Sequence, residues 1–172
     1  MFMDATHPQH NPVISCGWIK RGKEHPIKSN TGRRRLNING AIDVQRMSAQ
    51  IRFDDTIDAI STIALFEQIE RANPLAKRIT IICDNARYYR SKAVSEYLEN
   101  SRINILFLPP YSPNLNLIER FWKFFKRQVL YNCYYEAFND YKNACQRFFR
   151  ELDSYAAQLR SLLTENFEII GH

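Results

Sequence analysis

The chain has 172 residues, of which 45% are hydrophobic and 24% are charged, so the sequence predicts one globular domain with a packed core. Its formal net charge of +6 favours a polyanionic or acidic partner without proving one. The chain has no run of 18 apolar residues, no signal-peptide pattern and no C-x-x-C pair among its four cysteines. These absences argue against membrane spanning, secretion and structural zinc, and favour a reducing, cytoplasmic compartment.

The first elements in chain order predict a strand, a basic segment and a hairpin. The opening strand is expected to end at Asp4, with only three residues ahead of it, and the polar segment 17–35 is expected to form a short strand and a loop. Alternating apolar residues in 36–43, followed by 47–53, predict two hairpin strands. A helix then follows, with start signals at Asp54, Asp55 and Thr56 and a stop at Asn73-Pro74.

The second half of the sequence alternates strands with helices. Apolar runs at 78–83 and 103–108 predict two strands, and patterns at 91–101 and 116–132 predict two helices. The remainder, to about residue 168, reads as one or two helices rich in aromatic residues. The fold class expected is therefore α/β, with a mixed five-stranded sheet flanked by helices and a helical C-terminal tail.

Three acidic residues are placed where they could meet at one edge of this sheet. Asp4 and Asp84 end predicted strands, and Glu119 opens the helix that follows the next strand. Three converging carboxylates repel one another unless cations neutralise them, and hard divalent ions such as Mg²⁺ or Mn²⁺ prefer oxygen ligands. Two such ions about 4 Å apart clamp the attacking and leaving oxygens of a phosphodiester.

Each of these acids also has a simpler explanation. Asp84 could cap the turn after its strand, and Asp4 could be solvated surface near a terminus. Glu119 could form a capping box with Asn116 and an ion pair with Lys123. The metal-site hypothesis therefore depends on the three acids together.

The motifs "ICDNARYYRS" and "LPPYSPNLNLIERFWKFFKR", with "MDATHPQHN" upstream, resemble the catalytic domain of mariner-superfamily DDE transposases. They are most similar to the bacterial insertion-sequence branch, for which the 34 residues between Asp84 and Glu119 are typical. The resemblance runs from residue 2 to about residue 132. Asn114 and Leu117 stand where many relatives carry Asp and Pro, but neither position is a metal ligand in the family.

The resemblance implies a ribonuclease-H-like catalytic domain at 1–132, with a helical extension at 133–172 packed on it. It implies that Asp4, Asp84 and Glu119 are the catalytic, metal-binding triad for Mg²⁺ or Mn²⁺, with two ions. The implied chemistry is cleavage of DNA at element ends by metal-activated water, followed by strand transfer, in which a freed 3′-hydroxyl attacks target DNA. No covalent protein–DNA intermediate is implied.

The expected partners are DNA and further copies of the chain in an active assembly. Family members carry a helix-turn-helix region ahead of the catalytic domain, and this sequence has nothing before residue 2. A separately encoded helix-turn-helix partner is therefore one expectation. The other is a truncated, catalytically inactive remnant that only binds DNA, in which the short first strand has spoiled Asp4. A third hypothesis is a ribonuclease-H-like nuclease for a substrate that contains RNA.

Basic residues concentrate beside the proposed site. Seven of them in residues 19–35, against Glu24 alone, give that segment a net charge of +6. Three more share the helix face of Glu119 at i+4, i+7 and i+8, opposite a stripe predicted to be core. Contact with DNA phosphates is the favoured use, and solvated surface is the alternative. Asn85 is expected to support Asp84 or touch phosphate. The predicted DNA-binding residues are Lys20, Arg21, Lys23, Lys28, Arg33, Arg34, Arg35, Arg87, Lys123, Lys126 and Arg127.

Overall fold

The computed structural model describes residues 1–13, 21–22, 28–30, 34–110 and 115–164. Its strands are β1 (Phe2–Thr6), β2 (Asn37–Asp43), β3 (Ser48–Asp54), β4 (Ile79–Cys83) and β5 (Ile103–Phe107). They form one sheet in the order β3-β2-β1-β4-β5. The first three strands pair antiparallel, whereas β4 is parallel to both β1 and β5. This arrangement confirms the predicted hairpin and the mixed five-stranded sheet.

The helices also follow the predicted order. They are α1 (Ala59–Ala72), α2 (Lys92–Leu98), α3 (Leu117–Val129), α4 (Phe138–Arg150) and α5 (Ala156–Leu162). Short 3₁₀ turns at Arg87–Arg90 and Leu152–Tyr155 precede α2 and α5. In the part of the chain that the structure describes, no helix is both long enough and apolar enough to cross a membrane.

The first helix begins later than the sequence suggests. Asp58 is its N-cap: the carboxylate accepts the N–H of Ser61 at 2.9 Å, and the Ser61 hydroxyl accepts the N–H of Asp58 at 2.8 Å. This reciprocal capping box satisfies backbone groups of the first turn, so α1 starts at Ala59. The predicted start at Asp54, Asp55 and Thr56 is therefore wrong, since Asp54 still belongs to β3.

The first strand is longer than predicted. All of β1 pairs with β2, from Phe2 opposite Ile42 to Thr6 opposite Ile38. Asp4 therefore lies inside the strand and does not end it. The sequence misleads here because a carboxylate in a central strand normally marks its end. The strand that carries Asp4 has five paired residues, so its length gives no support to the idea that a short first strand has spoiled Asp4.

A hydrophobic core packs on each face of the sheet. On one face, Phe2 and Ile42 pack with an aromatic cluster from α3 and α4 that includes Phe121, Phe125 and Phe148. On the other, β4 packs with α1 and α2. The predicted core stripe of α3 is confirmed, since its members are buried: Ile118, Trp122, Phe125 and Val129. The aromatic face of α3 thus anchors the helix whose first turn contains Glu119.

Candidate metal and DNA site

Asp4 and Asp84 are brought level with each other by the parallel pairing of their strands. Phe2 of β1 is opposite Ile82 of β4, so Asp4 and Asp84, each two residues further along, lie at the same level. Asp84 directly follows β4 and is exposed, whereas Asp4 is half-buried. Glu119 is half-buried in the first turn of α3, and α3 packs against β1. Three distant segments thus deliver one carboxylate each to the same region.

The surroundings raise the pKa of Asp4 to about 7. Burial is the largest cause, and the negative charges of Asp84 and Glu119 raise the pKa further. The N–H of Ala5 opposes this shift by bonding to the carboxylate. The buried indole N–H of Trp122 also lowers the pKa of Asp4. It makes no hydrogen bond among the described residues, so it acts on the carboxylate as a nearby dipole. The three acids are therefore within electrostatic reach of one another.

The donor chemistry of this region fits a hard divalent ion, although the carboxylates are not drawn tightly together. Among the described residues, no group of three His, Cys, Asp or Glu side chains is close enough to hold a metal ion. The Oδ1 of Asn116, ahead of α3, is buried and has no hydrogen-bond partner among the described residues. Carboxylate and amide oxygens suit Mg²⁺ and Mn²⁺. An ion bound by all three acids would have to draw their side chains inward.

The simpler explanations for the three acids fare differently. Asp84 does cap its turn, because its Oδ1 accepts the N–H of Ala86 at 3.1 Å. The solvated-surface explanation for Asp4 does not fit, since Asp4 is half-buried inside β1 and burial is the largest cause of its raised pKa. Asn116 precedes α3 as its N-cap, but its side chain makes no capping bond, so the predicted capping box with Glu119 is absent. The salt bridges of the described residues include none between Glu119 and Lys123.

Asn85 makes a different contact from the one expected of a residue that orients Asp84. Its Nδ2 donates to the carbonyl of Leu108 at 2.6 Å, and its Oδ1 accepts from the guanidinium of Arg90. Arg90 also lies over the ring of Phe107, 4.6 Å from its centroid. Asn85 therefore joins the end of β4 to the end of β5. Arg87 is exposed on the adjacent 3₁₀ turn.

The basic face of α3 is present and is wider than predicted. Lys123 and Arg127 are exposed and Lys126 is half-buried. The sequence reasoning missed Arg120, although its i+3 and i+7 spacing to Lys123 and Arg127 could have revealed it. These three line a groove of about 340 Å³ with an apolar floor, completed by Phe124, Tyr131 and Leu162. The helix that carries Glu119 therefore also carries a row of positive charges.

The other predicted basic set is only partly visible. Lys20, Lys23 and Arg33 lie outside the described residues, as do most of the short strand and loop predicted for 17–35 and the divergent Asn114. The described members Arg21, Lys28, Arg34 and Arg35 are exposed. Arg34 lies 3.8 Å from the ring centroid of Phe138, and Lys28 lies 5.9 Å from that of Tyr134. These contacts hold part of the basic segment against the region around α4.

The strand order, with helices on both faces, defines a ribonuclease-H-like fold. The chain belongs to the DDE superfamily endonuclease family, whose model matches residues 1–142. It is 25% identical over 114 residues to the "Insertion element IS630 uncharacterized 39 kDa protein" of Shigella sonnei. That match covers 66% of this chain and 33% of the relative, so the chain spans about a third of that protein.

Solved structures support the same conclusion on the fold. The mariner Mos1 paired-end complex with Mg matches with a TM-score of 0.64 at 16% identity, over 97% of this chain and 56% of that one. The HTLV-2 integrase catalytic core domain in complex with magnesium matches with a TM-score of 0.51 at 15% identity, over 98% and 86%. Together with the family match, these likenesses confirm the predicted resemblance to the catalytic domain of mariner and IS630-type DDE transposases.

Proposed function

We propose that this chain is the catalytic domain of a transposase, which performs metal-dependent DNA cleavage at element ends and strand transfer. The observation that carries the proposal is the convergence of the three acids: the β1–β4 register sets Asp4 level with Asp84, and α3, which carries Glu119, packs on β1. Burying one carboxylate beside two others opposes ionisation unless a cation compensates. The three acids are therefore proposed to hold Mg²⁺ or Mn²⁺, with two ions.

Each residue has a distinct proposed task. When bound, the ions stabilise the attacking and leaving oxygens of a phosphodiester. Asp4, inside the paired strand β1, supplies carboxylate oxygens from the sheet itself. Asp84 supplies carboxylate oxygens from the turn after β4, and Glu119 supplies them from the first turn of α3. Lys123 and Arg127, exposed further along α3, hold the phosphates on either side of the scissile bond.

The proposal extends to partners. The similar Mos1 structures include a paired-end complex with the left transposon end, which supports DNA as the partner of this chain. We propose that the active assembly contains more than one copy of the chain. We also propose that a helix-turn-helix region outside these 172 residues reads the element ends. The basic segment around Arg34 and Arg35 then contacts DNA independently of its sequence.

Strand joining tests the proposed reaction most specifically. A fluorescent duplex oligonucleotide with a free 3′-hydroxyl is incubated with plasmid, Mn²⁺ and the chain, and transfer of label to the plasmid is measured on a denaturing gel. The parent and the control Lys142→Gln, on α4, are expected to join the label, whereas Glu119→Gln is not. Equal joining by Glu119→Gln would contradict the assignment of Glu119. Cutting of an RNA–DNA hybrid but not of duplex DNA would favour a ribonuclease.

A further inference from the structure

The connection between β5 and α3 is tied to the sheet at both ends by asparagine side chains. It leaves β5 at Leu108 and enters α3 after Asn116. Packing of α3 places Glu119, and the two described ends of this connection, Leu108 and Asn116, are held to the strands beside Asp84 and Asp4. The two described ends are therefore the points at which the geometry of the acids can be set.

The first tie extends the β4–β5 ladder. The N–H of Leu108 donates to the carbonyl of Cys83 at 2.8 Å, and the carbonyl of Leu108 accepts from Asn85 Nδ2 at 2.6 Å. The guanidinium of Arg90 can only donate, so its bond to Asn85 Oδ1 fixes which way the amide points. The residue after Asp84 thus holds the start of the connection beside Asp84.

The second tie reaches the strand that contains Asp4. Asn116 is buried, and its Nδ2 donates to the carbonyl of Met3 at 3.2 Å. Its own carbonyl accepts the N–H of Glu119 at 3.0 Å. An asparagine in this position normally stabilises the helix by capping it with its side chain. Here that stabilisation is forgone, and the side chain joins the base of α3 to the residue beside Asp4.

We propose that Asn85 and Asn116 are positioning residues that set the spacing of Asp84, Glu119 and Asp4 for a divalent ion. The inference rests on the proposed function. Asn85 directly follows Asp84 and fixes the start of the connection. Asn116 fixes its end by bonding to the carbonyl of Met3, the residue before Asp4. Replacing a group that is hydrogen-bonded to a metal ligand typically changes metal affinity about 10- to 100-fold, and these two asparagines act one step further out, through main-chain carbonyls.

The test measures ion binding without DNA. Isothermal titration calorimetry with Mn²⁺ is carried out on the full chain for Asn85→Leu and Asn116→Leu, because leucine is similar in size and makes no hydrogen bond. Unfolding in EDTA shows whether each variant is folded. We expect both to bind Mn²⁺ about 10-fold more weakly, at the lower end of that range. The matched control Asn104→Leu, at an exposed position of β5, is expected to retain the parent affinity.

A second readout separates positioning from a general loss of structure. The Mn²⁺ concentration for half-maximal plasmid nicking is expected to rise in both variants, while the rate at saturating Mn²⁺ stays close to that of the parent. If Asn116→Leu does not fold, Asn85→Leu and Arg90→Gln decide the matter through the first tie. Parent-like Mn²⁺ affinity in the folded variants, or an equal loss in Asn104→Leu, overturns the positioning role.

The Asp84→Asn variant distinguishes failure of this inference from failure of the proposed function. If Asp84→Asn loses Mn²⁺ affinity but the asparagine variants do not, only the positioning role is wrong. If Asp84→Asn binds Mn²⁺ as well as the parent, the metal assignment of the acids is wrong, and the positioning role falls with it.

Discussion

Gly40 lies directly opposite Asp4 in the β1–β2 ladder, and Trp122 occupies the space above it. A Cβ at Gly40 would lie 2.8 Å from the indole of Trp122 and 2.7 Å from the side chain of Ile51. The missing side chain lets the indole approach the sheet beside the buried carboxylate. This contact ties the aromatic face of α3 to the strand pair that holds Asp4, so core packing and the candidate site share one residue.

Replacing Gly40 by alanine is expected to destabilise the fold. The added methyl group collides with Trp122 and Ile51, and overpacking of this kind costs about 1–3 kcal/mol. Urea unfolding followed by tryptophan fluorescence measures the change. The exposed Ser48→Ala in β3 serves as the control, with an expected change within about 0.5 kcal/mol. A Gly40→Ala protein as stable as the parent would show that Trp122 can move away freely.

The raised pKa of Asp4 predicts a stability that falls as pH rises in the absence of metal. The folded carboxyl titrates at about 7 and the unfolded one near 3.8, so the folded state binds more protons between these values. The penalty grows through that window and is complete above about pH 7. Asp4→Asn keeps the shape of the side chain and removes the charge, so it is expected to be more stable than the parent at pH 8.

The measurement is urea unfolding of parent and Asp4→Asn in EDTA at pH 5 and pH 8. The stability advantage of Asp4→Asn is expected to grow by on the order of 2 kcal/mol between these pH values. Asp55→Asn, at an exposed position away from the three acids, is the control and is expected to show a much smaller change. An advantage that is the same at both pH values would mean that Asp4 is not held in a costly environment.

The basic segment is expected to determine much of the salt dependence of DNA binding. Changing Arg33, Arg34 and Arg35 to Gln removes three positive charges, and each lost phosphate contact lowers the slope of log K against log salt by about 0.9. Fluorescence anisotropy with a duplex oligonucleotide from 50 to 300 mM salt measures the slope. The charge-matched control alters Arg46, Lys77 and Arg78, which are exposed at the opposite end of the sheet. Equal slopes for the two triple variants would identify the segment as solvated surface.

Most of the fold could be predicted because its elements are strongly patterned. The β-branched run of β4 predicts a strand, and the apolar stripe of α3 predicts an amphipathic helix. The structure confirms both. The start of α1 could not be placed, since the sequence offers Asp54, Asp55 and Asp58 and only the reciprocal bond with Ser61 selects Asp58.

The supporting residues of the candidate site could be predicted less well than its acids. Asp84 and Glu119 stand in motifs that the family resemblance makes recognisable. Asn116 resembled an ordinary N-cap and Trp122 an ordinary core residue, because their particular contacts depend on β1 lying beneath α3. Gly40 could have been predicted to matter, since a glycine in the middle of a strand often marks a place where another group packs closely against the backbone.

The central claim is that Asp4, Asp84 and Glu119 together support metal-dependent DNA cleavage. The most direct test incubates the purified chain with supercoiled plasmid and Mn²⁺, beside an Asp84→Asn control, and measures nicking on an agarose gel. We expect the parent to nick the plasmid and Asp84→Asn to lose that activity while it still binds DNA. Nicking by both proteins would contradict the claim, and nicking by neither when both are folded would favour the remnant that only binds DNA.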